Sequence, residues 1–246
     1  MDRALYVAMA GAKEIMQAQT VNANNLANVS TNGFKADLNA FMSVPVNGPG
    51  YQSRVYAVDG GNGVDLSPGA IQATGRDLDV AVQGDGYIAV QAADGSEAYT
   101  RAGNLKLDAG GQLLTGAGHP VLGSGGPMAV PPSEKLEIGA DGTISVRPLG
   151  QSAATLSAVD RIKLVKIPVD QLRKGDDGLL RVAPGNEPTT DGSVRVVSGA
   201  LEGSNVNAVD SMVTMISLSR SYEMTVKAMR SVEDNDRAAS ELIKLS

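Results

Sequence analysis

Residues 204–246, SNVNAVDSMVTMISLSRSYEMTVKAMRSVEDNDRAASELIKLS, run without a single Pro or Gly. Within them Ala208, Met212, Met215, Ser219, Tyr222, Val226 and Met229 alternate spacings of four and three, the seam of a helix that lies along another helix. A second row, Val209, Val213 and Ile216, widens the apolar face. The pattern predicts a helix approaching about 40 residues, where an ordinary globular helix has about 11–12. Such a helix needs a long partner, and the other end of the chain supplies a matching pattern.

There Leu5, Ala8, Ala12, Ile15, Gln19, Asn22, Leu26 and Val29 keep the same three-four alternation. Several of these side chains are small, which allows close approach, and the polar ones lower stability while fixing register and partner. The stretch VNANNLANVSTNGFK, residues 21–35, should close this helix, with Ser30 to Gly33 supplying turn chemistry. Phe34 would anchor the exit. Asn24, Asn28 and Asn32 suit capping and a solvated face, whereas Asn22 and Asn25, on or beside the seam, suit contacts with another chain. Only a few seam residues are large, so their burial does not offset the cost of ordering the backbone. Both ends are therefore expected to need partners, either each other or neighbouring chains.

Between Val64 and about Val197 the period changes to strands and tight turns. Asp-Gly pairs begin at Asp59, Asp85, Asp94, Asp141, Asp177 and Asp191, and YIAVQ, GTISV, RIKLVKI and SVRVV are rich in β formers. The expected fold class is α+β: N- and C-terminal helices forming a coiled-coil-like inner domain, with a central, mostly antiparallel β domain. Residues 1–41 and 201–246 would be the two helical parts, 42–63 an extended connector rich in Pro, Gly and Ser, and 64–200 the β domain, with a loop at 148–159.

Composition narrows the function. The chain has 246 residues, a net charge of −6, no Cys and one His. Without clustered cations it lacks the means of sequence-independent nucleic-acid binding or of holding to an anionic membrane surface. No run reaches the roughly 20 apolar residues of a spanning helix. Without Cys there are no disulfides, zinc thiolates or cysteine nucleophiles. Ala4 to Ala12 imitates a signal-peptide core, but Asp2 stands beside Arg3 and the helical pattern continues through Lys13 and Glu14, so no cleaved signal is expected.

The tempting sites have plainer readings. GGNGVD at 60–65 matches one calcium nonapeptide, yet stacked copies are needed to complete such a site. His119 lies in GAGHPVLG without a GxSxG elbow, and it reads as a turn residue. No phosphate loop occurs. Asn28-Val29-Ser30 is a formal glycosylation sequon inside a helix end. Accordingly no catalytic, metal or cofactor-binding residue is assigned, and no cofactor is expected.

Three motifs carry a resemblance: NNLANVSTNGFK at 24–35, LDVAVQGDGYIAV with YTRAGNLKLDAGGQL at 78–113, and LEGSNVNAVDSMVTMISLSRSYEM at 201–224. In this order the chain resembles the bacterial flagellar axial proteins, those of rod and hook. MDRALYVAM, AFMSVPV, DDGLLR and the length are most similar to the proximal rod subtype. Tyr87-Ile88, where hook and distal rod members have an aromatic pair, and Leu105, where they have Phe, also favour that subtype.

The resemblance implies a non-enzymatic subunit of a hollow, helically assembled shaft that transmits torque, lets exported subunits pass and spans the periplasm within the flagellar basal body. Its partners would be proximal and distal rod subunits, copies of itself and, during secretion, the type III export apparatus. Distal-rod-type or hook-type membership is the neighbouring reading. A β-rich binding module on a helical stalk is the reading from another class. On the structural reading the subunit-interface residues are those of the two seams: Leu5, Ala8, Ala12, Ile15, Gln19, Asn22, Asn25, Leu26, Val29 and Phe34, with Met212, Met215, Tyr222, Val226 and Met229.

Overall fold

The computed structural model describes residues 3–45, 55–148, 156–183, 185 and 188–244. The chain is α+β with a β-rich core. It divides into a helical unit, Met1–Val29 with Ala36–Asp65 and Val206–Ser246, and a β unit, Ser30–Lys35 with Leu66–Asn205.

In the helical unit, α1 spans Arg3–Ala27 and α2 spans Ala208–Lys244. At 1.5 Å per residue they are about 37 and 55 Å long. The end of α1 is marked by asparagine chemistry: Asn28 Nδ2 donates to Asn24 O at 3.0 Å, a carbonyl that also accepts the Asn28 amide at 3.2 Å. α2 begins where Asn207 Oδ1 accepts from the amides of Val209 and Asp210, at 3.0 and 3.4 Å. That is the preferred N-cap arrangement, and Asp210 in the first turn complements the helix dipole.

The same unit contains a two-stranded antiparallel hairpin of β1, Asp37–Pro45, and β2, Val55–Val64. The sequence reading ran the N-terminal helical part to 41 and made 42–63 an extended connector. The described part of that connector is paired strand instead, because β formers such as Phe41, Val44, Val55 and Val58 recur on both sides of the Pro-Gly stretch. Asp59-Gly60, expected as a turn, lies within β2 near an irregularity in the register between Asn39 and Phe41. GGNGVD likewise runs through β2 and on to Asp65.

The β unit is built from short antiparallel strands. β3 is Ile71–Ala73, β4 Val80–Gln83, β5 Tyr87–Gln91 and β6 Glu97–Thr100. A five-stranded sheet runs Leu164–Val165, β5, β6, Leu180–Val182, Leu172–Lys174, and 133–138, 143–148 and 157–161 form a three-stranded sheet. The loop expected at 148–159 therefore ends earlier, since the strand begins at Ser157, with Ser157 and Ala158 paired to Val146 and Ser145; 149–155 lie outside the described residues. Ile88, Leu105, Leu113, Val121, Ile144, Ile162 and Leu164, all fully buried, are the centre of the core.

Four of the Asp-Gly pairs close turns by one mechanism. The carboxylates of Asp94, Asp141, Asp177 and Asp191 accept the amide two residues on, Ser96, Thr143, Leu179 and Ser193, at 2.8–3.1 Å. These are the Asx turns that make Asp favourable at such positions. The last strands, Arg195–Ser198 and Ala200–Glu202, pair with β4 and β3. The end of the β unit is thus joined to its beginning, which brings Glu202 opposite Ile71.

Candidate assembly interface

α1 and α2 lie side by side in the helical unit. Gln19 Nε2 reaches Ser219 Oγ at 3.5 Å, and Asn22 Nδ2 donates to Ser211 O at 2.7 Å. Residue number rises on α1 as it falls on α2, so the helices are antiparallel. Along α1 the expected seam faces inward, with Leu5, Ala8, Ile15, Gln19, Asn22 and Leu26 half-buried and Ala12 buried, but Glu14, off the seam, is buried as well. Val29 is half-buried but lies beyond the end of α1. Asn25 is buried and makes its bonds to Asp37.

On α2, Met215, Tyr222, Val226 and Met229 are half-buried, whereas Met212 is 54% exposed. The inward position there is taken by the buried Ser211, which lies where Asn22 crosses. Spacings of three and four through Ala208, Ser211, Met215, Leu218 and Tyr222 fit the burial better than a row through Met212, because a small residue was overlooked beside a large one. Val209, Met212, Val213, Ile216 and Met224 of α2, and Tyr6, Met9 and Met16 of α1, are large apolar side chains left exposed. Past Val232 the described side chains of α2, Glu233 to Ala238 and Glu241, are all exposed.

In the β unit the three sequence motifs converge. Lys35 from the first, Arg101 from the second and Glu202 from the third are 3%, 4% and 1% exposed. Lys35 Nζ donates to Glu202 Oε1 at 2.6 Å, and Arg101 Nη1 donates to Glu202 Oε2 at 3.0 Å. The cations are further satisfied by carbonyls: Ser67 O at 2.7 Å for Lys35, Val82 O at 3.3 Å and Gly84 O at 2.5 Å for Arg101. The Gly69 amide adds a third donor to Glu202, at 3.0 Å.

This arrangement sets the charge states. Burial pushes the Glu202 carboxyl up, but the Lys35 and Gly69 hydrogen bonds and the charges of Arg101 and Lys35 outweigh it, holding the group below the ordinary 4.5. Arg101 also lies over the Tyr87 ring, 5.0 Å from its centre. The Tyr87 phenol is raised above its ordinary value by burial, against the pull of Arg101, with Asp85 and Glu202 adding to the rise.

Phe34 is half-buried under Lys174, whose Nζ lies 3.9 Å from the ring centre and donates to Lys35 O at 2.8 Å. Gly33 has φ of 68° and its amide donates to Glu202 O at 2.8 Å. A Cβ there would collide with the backbone of Arg101 and Ala102, so both the conformation and the space require glycine. The sequence reading assigned Phe34 and passed over Lys35, Arg101 and Glu202. The sequence signal was weak: Lys35 is the one charge of the first motif, whereas Arg101 and Glu202 each stand among several charges in theirs.

Comparison with known proteins matches the same segments. Residues 5–35 match a family described as flagella basal body rod protein, 81–146 the flagellar hook protein FlgE/F/G D1 domain, and 197–242 the flagellar basal body rod FlgEFG protein C-terminal family. The chain is 46% identical to flagellar basal-body rod protein FlgF of Escherichia coli (strain K12), over 100% of both chains. It is 44% identical to FlgF of Salmonella typhimurium, again over 100% of both. With flagellar basal-body rod protein FlgG of Bacillus subtilis it shares 33% identity over 99% of this chain and 98% of that one.

Proposed function

The chain belongs to the flagellar basal-body rod protein family and is a structural subunit of that rod, and from this premise we propose that it is a proximal-rod subunit. Its helical unit packs with those of neighbouring rod subunits and of its own copies as a coiled-coil-like inner domain of the rod. The resulting shaft is hollow, carries torque across the periplasm and admits exported subunits. The chain itself reaches this place through the flagellar type III export apparatus and performs no reaction.

The observation that carries the proposal is the exposed apolar row of α2, Val209, Met212, Val213 and Ile216, beside a seam already used within the chain. A helix polar on its outer side would need nothing more, whereas this one keeps a second face for a neighbour. The proximal reading is supported by 46% identity to an FlgF against 33% to an FlgG.

Complementation tests it. Expressed in Escherichia coli cells lacking FlgF, the chain should restore swimming and be recovered in purified basal bodies, and it should fail in cells lacking FlgG. Rescue of the second strain and not the first would overturn the proximal reading. Swimming restored without the chain in the basal body would overturn the structural one.

A further inference from the structure

The buried ion cluster stands where the chain passes twice through one spot. Residues 30–35 follow α1, and 203–205 lead towards α2. Within the β unit these passages are bonded to each other: Gly33 N to Glu202 O at 2.8 Å, and Asn205 N to Phe34 O at 3.4 Å. Asn205 Nδ2 also donates to Ser67 O at 3.3 Å, the carbonyl that Lys35 uses.

What holds residues 30–35 is mainly polar. Neither buried apolar cluster of the β unit includes any of them. Ser30 and Thr31 are exposed, and the fully buried member of the segment is Lys35. Conversely, the core around Ile88, Leu113, Ile144 and Leu164 closes without them. A buried ion pair adds little net stability compared with apolar residues, but it demands one geometry and is costly to half-remove. Such a device suits fixing a position better than holding a core together.

We infer that Lys35, Glu202 and Arg101 form a latch that seats residues 33–35 in the β unit and pins both chain passages to one point. Opening it releases the passages while the β core stays folded. In a subunit that bears load, both connections to the helices then leave the β unit from a single fixed place. The bond from Lys174 to Lys35 O and the contact of its Nζ with Phe34 form a second, more exposed hold on the same segment.

Hydrogen exchange read by mass spectrometry on the full chain tests this with two variants, Lys35→Met and Glu202→Gln. Peptides covering 28–36 and 203–207 should exchange about tenfold faster or more in both, as expected for a local opening. Peptides covering 87–100 and 113–122 should be unchanged. Unaltered exchange at 28–36 would overturn the latch. So would an equal acceleration in every peptide, which would make the cluster part of one cooperative core, or failure of both variants to yield a protected β core.

Discussion

Asn25 is paired with Asp37 through both edges of its amide: Nδ2 donates to Asp37 O and Oδ1 accepts from Asp37 N, each at 2.8 Å. The side chain imitates a strand backbone and fixes the start of β1 beside the last turn of α1. Expected to reach another chain, it serves its own.

Asn25→Leu should therefore destabilise the helical unit rather than only its contacts. It keeps the heavy-atom count and branching of the side chain but removes both of its bonds to the Asp37 main chain, at a cost of about 2–3 kcal/mol. Chemical denaturation followed by far-UV circular dichroism checks this. Asn22→Leu removes one bond, to Ser211 O, and should cost about 1 kcal/mol. Equal stabilities of the two variants would count against the pairing.

Glu202 makes the β unit sensitive to acid in a defined direction. Its folded-state pKa lies below the ordinary 4.5, so the stability it contributes is complete above that value and is lost as pH falls through the lowered one. Asp94, Asp141, Asp177 and Asp191 are also lowered. Side-chain hydrogen bonds, from Ser96, Thr143 and Arg181, are the first cause at Asp94, Asp141 and Asp177, and the Ser193 amide is first at Asp191. Glu202→Gln removes one contribution and leaves these four. Urea midpoints measured downward from neutral pH should fall less steeply below pH 4.5 in the variant. Parallel curves would show that the slope comes from the turn aspartates alone.

The exposed row of α2 separates assembly from folding. Met212→Glu and Ile216→Glu alter side chains that are 54% and 55% exposed, so each should change stability by no more than about 0.5 kcal/mol. Both should abolish or sharply reduce swimming in the complementation test. Met215→Glu places a charge on the half-buried seam and should lower stability as well. Full motility with Met212→Glu and Ile216→Glu combined would show that this face meets no neighbour.

The helices, the antiparallel β unit and the Asp-Gly turns were legible because each leaves a local signature: three-four spacing, β-rich runs, and Asp two residues before the amide it receives. β1 and β2 were missed because Pro and Gly between 45 and 63 masked the β formers on either side. The cluster of Lys35, Arg101 and Glu202 was not legible as a site, since Lys35 and Arg101 stand 167 and 101 residues from Glu202 and contacts at that separation leave no local trace. Met212 was placed inward because a large apolar residue outranks Ser211 in any hydrophobic pattern. Burial chose Ser211 because its main-chain oxygen faces Asn22.

The free chain's helices should yield to protease in an order set by their pairing. Arg237 is 70% exposed and stands beyond Val232, the last half-buried residue described on α2. Its pairs with Glu233 at 2.5 Å and Asp234 at 3.9 Å are surface pairs worth a few tenths of a kcal/mol each. A short helix held by such pairs alone is marginal in water, so this segment opens often, and trypsin should cut at Arg237 first. Lys13 is exposed too, but it lies on α1 one residue from the buried Ala12 and Glu14. Cutting there requires the pairing with α2 to open and should be much slower. The β unit should outlast both. Fragment masses over a time course decide it: cleavage at Lys13 as fast as at Arg237 would mean that α1 and α2 do not hold each other in the unassembled chain, and that neighbours must supply the order.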